Sequence, residues 1–262
     1  MNNLPLLISP PQGSRRRRHP RLPQPGGVPW STWQVLIVLA LFALIQVPAG
    51  ILLEVSLAGA GLSKAAMLSI LLVSVVAVSH AAGWLMAWLL VARWHGQRFA
   101  AALGFKAWPP ARLAATFGAA IAVYGIAMVP AYFWQPPSER TNVILEFFRA
   151  GGPHLLLLLA VAVIFAPLME EVLFRGLLQP ALRRRWSFPA AALLTTLLFT
   201  ALHFTQTGMY WPSVAGIFLC GACLAWLRER TGSLWPPIAF HMGFNSTPFL
   251  VWLANLPLGG MQ

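Results

Sequence analysis

The chain has 262 residues, of which 58% are hydrophobic and only 9% are charged, and its mean hydropathy is +0.69. Soluble domains carry about 25% charged residues, so this composition excludes an ordinary soluble protein and predicts an all-α polytopic membrane protein. The net charge of +12 does not indicate nucleic-acid binding. The basic residues cluster at the ends of apolar segments, where lipid headgroups and membrane topology account for them.

The first segment, residues 1–30, is rich in Pro and Gly and contains the basic run Arg15 to Arg18 and Arg21. This composition cannot bury a core, so we predict a disordered basic tail. The apolar run that follows, from Trp33 to about Leu57, is longer than the hydrophobic part of a secretory signal, which has about 7 to 15 residues. It therefore predicts a first transmembrane helix that is retained.

Six further apolar segments follow, and each has about the length that a bilayer core requires, which is roughly 17 to 25 residues. They run from about Ala65 to Ala92, Leu113 to Trp134, Pro153 to Pro180, Phe188 to Phe204, Trp211 to Leu227 and Leu234 to Leu253. In the third span of the chain, Gly118 and Gly125 are predicted contact points between helices. The polar stretch from Gln135 to Gly152 predicts an extramembrane loop with a short amphipathic helix.

The spans fall into two groups. Residues 31–152 hold three transmembrane helices and the polar loop, and residues 153–262 hold the remaining four spans. With seven spans, fifteen of the 18 Lys and Arg residues fall on one side of the membrane, and only Lys64, Arg140 and Arg149 fall on the other. Because Lys and Arg in short loops favour the cytoplasm, we predict a cytoplasmic N-terminus and an outward C-terminus.

The fourth span is unusual because it contains two adjacent carboxylates, Glu170 and Glu171. Placing an ionisable group at membrane depth costs roughly a few kcal/mol or more of free energy, so such residues are functional-site candidates. On a helix, Glu171 and Arg175 are four residues apart on one face, whereas Glu170 points about 100° away. We predict that Glu171 pairs with Arg175 and that Glu170 is free to act as a general base. A buried pair that only fixes helix packing is the alternative for Glu171 and Arg175.

Two later spans each carry a pair of candidate residues at helical spacing. Phe199 and His203 are four residues apart in the fifth span, and His241 and Asn245 are four apart in the seventh. Glu170 with His203 can hold and deprotonate a water molecule. His241 and Asn245 can donate hydrogen bonds to a developing oxyanion.

Other catalytic patterns are absent from the sequence. There is no His-Glu-x-x-His motif of the soluble zinc proteases, and no Asp residue that could form an intramembrane aspartyl dyad. Neither of the glycine-rich phosphate-binding fingerprints occurs. The candidate chemistry therefore depends on Glu, His and Asn.

At these residues the chain resembles the CAAX protease and bacteriocin-processing family, whose members are polytopic membrane proteins related to the Ras-converting CAAX prenyl endopeptidase. The pattern of that family is Glu-Glu-x-x-x-Arg, then Phe-x-x-x-His, then His-x-x-x-Asn. The three motifs occur here in that order at residues 170–175, 199–203 and 241–245. The resemblance covers about residues 153–250, and residues 1–152 carry no part of the pattern.

The resemblance implies an intramembrane endopeptidase in a bacterial-type cytoplasmic membrane, with membrane lipids and a peptide or protein substrate as its partners. The substrates that it implies include prenylated CAAX-type peptides. By the same resemblance, Glu170 and His203 activate the water, and His241 and Asn245 stabilise the oxyanion. The residues that orient the site are Glu171, Arg175 and Phe199.

The resemblance leaves the cofactor open. Members of the family have been described both as metalloproteases and as metal-independent glutamate proteases. If a divalent metal such as zinc is bound, its ligands are Glu170, His203 and His241, a set that leaves a fourth position open. The same three residues suffice for general-base hydrolysis without a metal.

Two expectations compete with this interpretation or complicate it. A non-catalytic membrane scaffold or regulator, which keeps the motifs for packing and binds a partner protein, is the alternative function. In addition, His203 lies about 15 residues into its span but His241 only about seven into its own, so straight parallel helices would separate the two by roughly 12 Å. We therefore expect the fifth span to tilt or to start at a different depth.

Overall fold

A computed structural model describes residues 27–134, 148, 152–204, 207–208 and 210–254. Within these residues the chain is helical and contains no strand. The predicted amphipathic helix between Gln135 and Gly152 lies almost entirely outside the described residues, as does the predicted tail up to residue 26. The described part contains the following helices: α1 Thr32–Leu57, α2 Lys64–Trp94, α3 Phe99–Leu103, α4 Pro110–Phe133, α5 Gly152–Arg183, α6 Phe188–Leu202, α7 Trp211–Thr231 and α8 Trp235–Leu253.

Seven of these helices lie at the seven predicted spans, which confirms the all-α polytopic fold class. Five of them, α1, α2, α4, α5 and α7, are long and apolar enough to cross a membrane. Helix α6 has 15 residues and is about 22 Å long, less than the hydrocarbon core of about 30 Å. Helix α8 has 19 residues but includes the polar residues of the third motif.

Local sequence signals explain where several helices begin and end. The side chain of Ser31 accepts a hydrogen bond from the backbone of Gln34, and the two residues form a capping box at the start of α1. Ser63 caps α2 in the same way through the backbone N–H of Ala66. Helix α7 ends at Gly232, whose φ of 61° lies in the left-handed region that glycine adopts at little cost.

Helix α5 is continuous from Gly152 to Arg183 but is not a regular α-helix. Two stretches, Ala160–Phe165 and Val172–Leu178, have the wider π-helical winding. Such stretches are rare and are frequently found at functional sites. The Glu pair lies in the regular stretch between them, Ala166–Glu171, and the second π-helical stretch begins directly after it.

The largest apolar core forms where α1, α2 and α6 pack around α5. Its centre includes Met169 and Leu173 of α5, and both side chains are fully buried. Trp30, which precedes α1, is also fully buried, and its Nε1 donates a hydrogen bond to the carbonyl of Leu177 at 3.1 Å. The last residues of the predicted tail segment therefore pack against α5.

Helices α4 and α8 approach each other closely, but not through the glycines that the sequence suggested. A Cβ atom added at Gly118 or Gly125 would meet no atom of the described residues within 4 Å, so the prediction that these residues are contact points is wrong. The contact is made at Gly243 of α8, where a Cβ would lie 2.4 Å from the carbonyl oxygen of Phe117. Because α4 is rich in Ala, its packing face is already small, as at Ala120, and needs no glycine.

Several helix ends meet at one end of the bundle, which we call the basic end. Arg183, the last residue of α5, forms an ion pair with Glu229 near the end of α7 at 3.0 Å. Arg184 donates to the carbonyl of Trp30 at 2.8 Å, just before the start of α1. The end of α5, the end of α7 and the start of α1 therefore lie on the same side, as the predicted alternation of spans requires.

Candidate active site

Helices α5, α6 and α8 bring one residue of each motif to a common point. The Oε2 atom of Glu170 lies 3.7 Å from Nε2 of His203 and 3.7 Å from Nε2 of His241. The side chain of His241 is 3% exposed, whereas those of Glu170 and His203 are 18% and 15% exposed. The cluster is therefore mostly buried, and its accessible side lies beside Glu170 and His203.

The depth mismatch expected from residue counting does not prevent this assembly. His203 directly follows the last residue of α6, Leu202, and its ring reaches the same carboxylate oxygen as the ring of His241. Two straight parallel helices that begin at the same depth would hold the two residues about 12 Å apart. Helix α6 is therefore inclined or displaced relative to α8, as expected.

Glu171 is fully buried and joins two parts of the site. Its Oε1 atom accepts hydrogen bonds from Nη1 of Arg175 at 3.0 Å and from Nδ1 of His241 at 2.9 Å. Arg175 is also fully buried, and its Nη2 donates to the carbonyl of Gly221 on α7 at 3.0 Å. The predicted pairing of Glu171 with Arg175 is present. The contact with His241, which helical spacing within one segment could not reveal, makes Glu171 the residue that orients this ring.

The backbone and Glu171 determine which ring nitrogens face Glu170. Nδ1 of His203 lies 2.7 Å from the carbonyl oxygen of Phe199, which can only accept a hydrogen bond, so this nitrogen carries the hydrogen. Nδ1 of His241 donates to Glu171 by the same reasoning. In the neutral rings, both Nε2 atoms therefore present lone pairs to Oε2 of Glu170. That oxygen is buried without a hydrogen-bond partner among the described residues.

A water molecule between these three acceptor atoms can donate its two hydrogens to two of them. Each histidine also has its second nitrogen held by an oxygen acceptor, as is usual for zinc ligands. However, no group of three His, Cys, Asp or Glu side chains in the described part of the chain is arranged to hold a metal. The separations of 3.7 Å also exceed the roughly 3.3 Å between neighbouring ligands of tetrahedral zinc. The donor types suit zinc but the spacing does not, so no step below is drawn through a metal.

Phe199 packs against both histidines of the site. Its ring centroid lies 4.4 Å from that of His203 and 5.6 Å from that of His241, and the Arg175 guanidinium lies over the ring at 4.7 Å. The side chain is buried. These contacts agree with an orienting role, because the ring restricts both imidazoles and the guanidinium at once.

Asn245 lies one turn after His241 on α8, but its described contact is with α5 rather than with the histidine. Its Nδ2 donates a hydrogen bond to the backbone carbonyl of Ala162 at 2.9 Å. One of its two amide hydrogens is therefore committed to the backbone. The sequence motif did not indicate this contact.

Two further residues shape the site and were not identified from the sequence. Gly221 lets α7 approach α6, since a Cβ there would lie 3.0 Å from the side chain of Thr196. The run of small residues around it is the signal that could have identified it. Arg228 was assigned to membrane topology, but its guanidinium donates to backbone carbonyls of Arg175 and Leu103.

Part of the chain is similar in sequence to known proteins. Residues 152–247 match the family model described as type II CAAX prenyl endopeptidase Rce1-like. The chain is 38% identical over 92 residues to the "Uncharacterized 24.3 kDa protein" of Escherichia coli, a match that covers 34% of this chain and 42% of that protein. It is 28% identical over 109 residues to the "Putative membrane peptidase YdiL" of Bacillus subtilis (strain 168), covering 42% of this chain and 41% of that protein.

Each of these matches spans less than half the length of the curated relative. No solved structure matches the chain significantly. The matched segment contains α5 to α7 and most of α8, and with them all the residues of the three motifs. The expected resemblance is therefore confirmed for this segment: residues 152–247 are similar to the Rce1-like family of type II CAAX prenyl endopeptidases.

Proposed function

We propose that the protein is an intramembrane endopeptidase that hydrolyses peptide bonds of membrane-associated peptides or proteins. One observation carries the proposal: a carboxylate oxygen and two imidazole lone pairs converge on a partly open point between apolar helices. A water molecule at this point can donate one hydrogen to Glu170 and the other to His203. Its oxygen lone pairs are then directed towards a substrate carbonyl.

In the proposed reaction, the water oxygen bonds to the carbonyl carbon while one water proton passes to Glu170. The carbonyl π electrons move to the oxygen and form an oxyanion. When the carbon–nitrogen bond breaks, the amine takes the proton from Glu170, and the carboxylate is restored. His203, held by the carbonyl of Phe199, orients the water throughout.

The oxyanion requires hydrogen-bond donors within reach of the developing charge. Asn245 can supply its second amide hydrogen. His241 can donate from Nε2 only as an imidazolium, and Glu171, at 2.9 Å from Nδ1, is the carboxylate that would balance this charge. The family match supports a peptidase, and prenylated CAAX-type peptides are the substrate class that we propose to try first.

The test is turnover by the purified full chain in detergent or lipid vesicles. Prenylated CAAX peptides and short membrane-tethered peptides are offered to the parent, to Glu170→Gln and to His203→Ala. We expect both variants to lose at least about 100-fold in kcat, the range in which a general base contributes. We also expect turnover by the parent to persist in a chelator, because the ligand spacing does not suit zinc.

Two results would contradict the proposal. Equal turnover by the parent and by Glu170→Gln would exclude Glu170 as the base. If no peptide is cleaved while Glu170→Gln retains the phenotype of the parent in cells, the protein is instead a membrane scaffold or regulator that binds a partner.

A further inference from the structure

The same irregularity of the backbone hydrogen bonds occurs at two places in α5, at the end of each π-helical stretch. At the first π-helical stretch, the N–H of Ala166 donates to the carbonyl of Val161, five residues earlier. The next N–H in this register belongs to position 167, but Pro167 has none. The carbonyl of Ala162 is therefore left without a backbone donor, and the side chain of Asn245 from α8 supplies one at 2.9 Å.

The second π-helical stretch repeats this arrangement. The N–H of Gln179 donates to the carbonyl of Phe174, again five residues earlier. The next position is Pro180, which also lacks an N–H. The carbonyl of Arg175 is thus left without a backbone donor, and Nε of Arg228 from α7 supplies one at 3.0 Å.

These two carbonyls lie on either side of the catalytic candidate, eight residues before Glu170 and five residues after it. A buried carbonyl without a donor is strongly unfavourable, and in a membrane no solvent replaces the missing partner. Each side-chain bond therefore holds α5 at one height and rotation relative to its neighbour, α8 in one case and α7 in the other.

Arg228 makes more contacts with neighbouring helices than an arginine needs if it only determines membrane topology. Its Nη2 donates to the carbonyl of Leu103 at 2.9 Å, so one guanidinium joins α7, α5 and α3. Its Nη1 lies against Gly104, where an added Cβ would be only 2.4 Å away. Gly104 has a φ of 86°, so glycine is required there both for the turn and for the approach of the guanidinium.

We infer that Arg228 is a positioning residue of the site, acting through the backbone of Arg175. The hydrogen bond from Arg228 fixes the position of the Arg175 backbone in α5. The Arg175 side chain then contacts Glu171, and Glu171 in turn orients His241. The effect on catalysis rests on the proposed peptidase function. The bond between Arg228 and the carbonyl made available by Pro180 does not depend on that function and can be tested separately.

The first test is a double-mutant cycle on thermal unfolding of the full chain in detergent. We expect Arg228→Met to lower the unfolding midpoint by about 5 °C. In a Pro180→Ala background the loss should be about half as large, because residue 180 then has an N–H that can donate to the Arg175 carbonyl. The remaining loss reflects the bond to Leu103. Arg230→Met serves as the control: it removes an exposed arginine of the same helix whose guanidinium lies over the Trp226 ring at 5.6 Å, and it should change the midpoint much less.

An equal loss in both backgrounds would overturn the assignment of this bond. If Arg228→Met does not fold, Arg228→Gln keeps a shorter N–H donor in the same two backgrounds, and the same comparison applies.

The second test measures peptide turnover by the same variants. We expect kcat of Arg228→Met to fall about 10-fold with KM unchanged, and to recover in part in Arg228→Met/Pro180→Ala. A raised KM with unchanged kcat would show that Arg228 contacts the substrate instead and would overturn the positioning role. If the parent cleaves no peptide, the peptidase proposal fails, whereas the thermal cycle still decides the role of the bond.

Discussion

The two adjacent glutamates have different surroundings although they are neighbours in the chain. Glu171 is fully buried and is bonded to Arg175 and His241, whereas Oε2 of Glu170 faces two imidazole nitrogens without a hydrogen-bond partner in the described structure. The 100° or so between consecutive helical residues produces this separation. The Glu171 carboxylate is therefore held by structural contacts, whereas the Glu170 carboxylate is not.

This difference predicts that the same substitution affects stability at one position and not at the other. Glu171→Gln leaves the Arg175 guanidinium buried without a countercharge, which should cost about 3 kcal/mol of the free energy of unfolding, together with activity. Glu170→Gln replaces a carboxylate whose buried Oε2 has no hydrogen-bond partner among the described residues, so activity should be lost with no loss of stability. Thermal or denaturant unfolding of both variants in the same detergent is the measurement. Equal destabilisation of the two would show that Glu170 is also a structural residue.

Residue spacing was sufficient to predict part of the site and not the rest. Pairs within one helix, such as Glu171 with Arg175, follow from a spacing of four residues. The contact between Glu171 and His241 joins segments 70 residues apart, and no local pattern encodes it. The chemistry of a Glu beside His residues suggested that the histidines lie near the Glu pair, and the resemblance to a family supported this interpretation.

At the scale of the helices, hydropathy located the segments but not the faces that they use. Lipid and protein interior are both apolar, so the sequence of α4 does not distinguish its packed face from its lipid-facing face. This is why Gly118 and Gly125 were wrongly predicted to be contact points. The π-helical stretches of α5 were also not predicted, although Pro167 and Pro180 mark where each one leaves a carbonyl without a donor.

The contact between α8 and α4 gives a prediction at this scale. Gly243→Ala would place a Cβ 2.4 Å from the carbonyl oxygen of Phe117, a backbone atom that cannot turn aside. Helix α8 must then shift, and with it His241 and Asn245, two residues away on either side. We expect a loss of about 1 to 3 kcal/mol of stability together with most of the activity.

The matched control is Gly118→Ala on α4, where the added Cβ meets no atom within 4 Å. This variant should be as stable as the parent or slightly more stable, because alanine favours the helix over glycine. If Gly243→Ala behaves like Gly118→Ala, the close approach of the two helices is not a feature of the protein in solution.

For the whole molecule, the family match covers only residues 152–247, yet the helices before it pack against the site-bearing helix. Trp30 donates to the carbonyl of Leu177, and α1 and α2 share the core around Met169. The division into residues 31–152 and 153–262 remains a prediction from sequence. The contacts across this boundary indicate that the N-terminal helices support α5 rather than stand apart from it.

Orientation in the membrane is the remaining prediction from charge. Of the fifteen basic residues assigned to the cytoplasmic side, Arg175 is buried inside the site and Arg228 bonds backbone carbonyls, so neither counts as a loop charge. Thirteen basic residues then remain on the side of the basic end and three on the other side, which still favours a cytoplasmic location for the basic end. We therefore expect Ala60→Cys, in the exposed turn between α1 and α2, to react with a membrane-impermeant thiol reagent in intact cells.

Ser187→Cys, at the exposed basic end between α5 and α6, should react only after the membrane is permeabilised. Cys220 is buried and Cys223 is half-buried, so the parent chain provides the background labelling. The reverse order of reaction would invert the topology, and labelling of both sites in intact cells would mean that the chain does not separate these two ends across a membrane. Since the second, third and fourth predicted spans lie between the two turns and place them on opposite sides, the pair of variants tests the charge rule and the number of spans between these turns together.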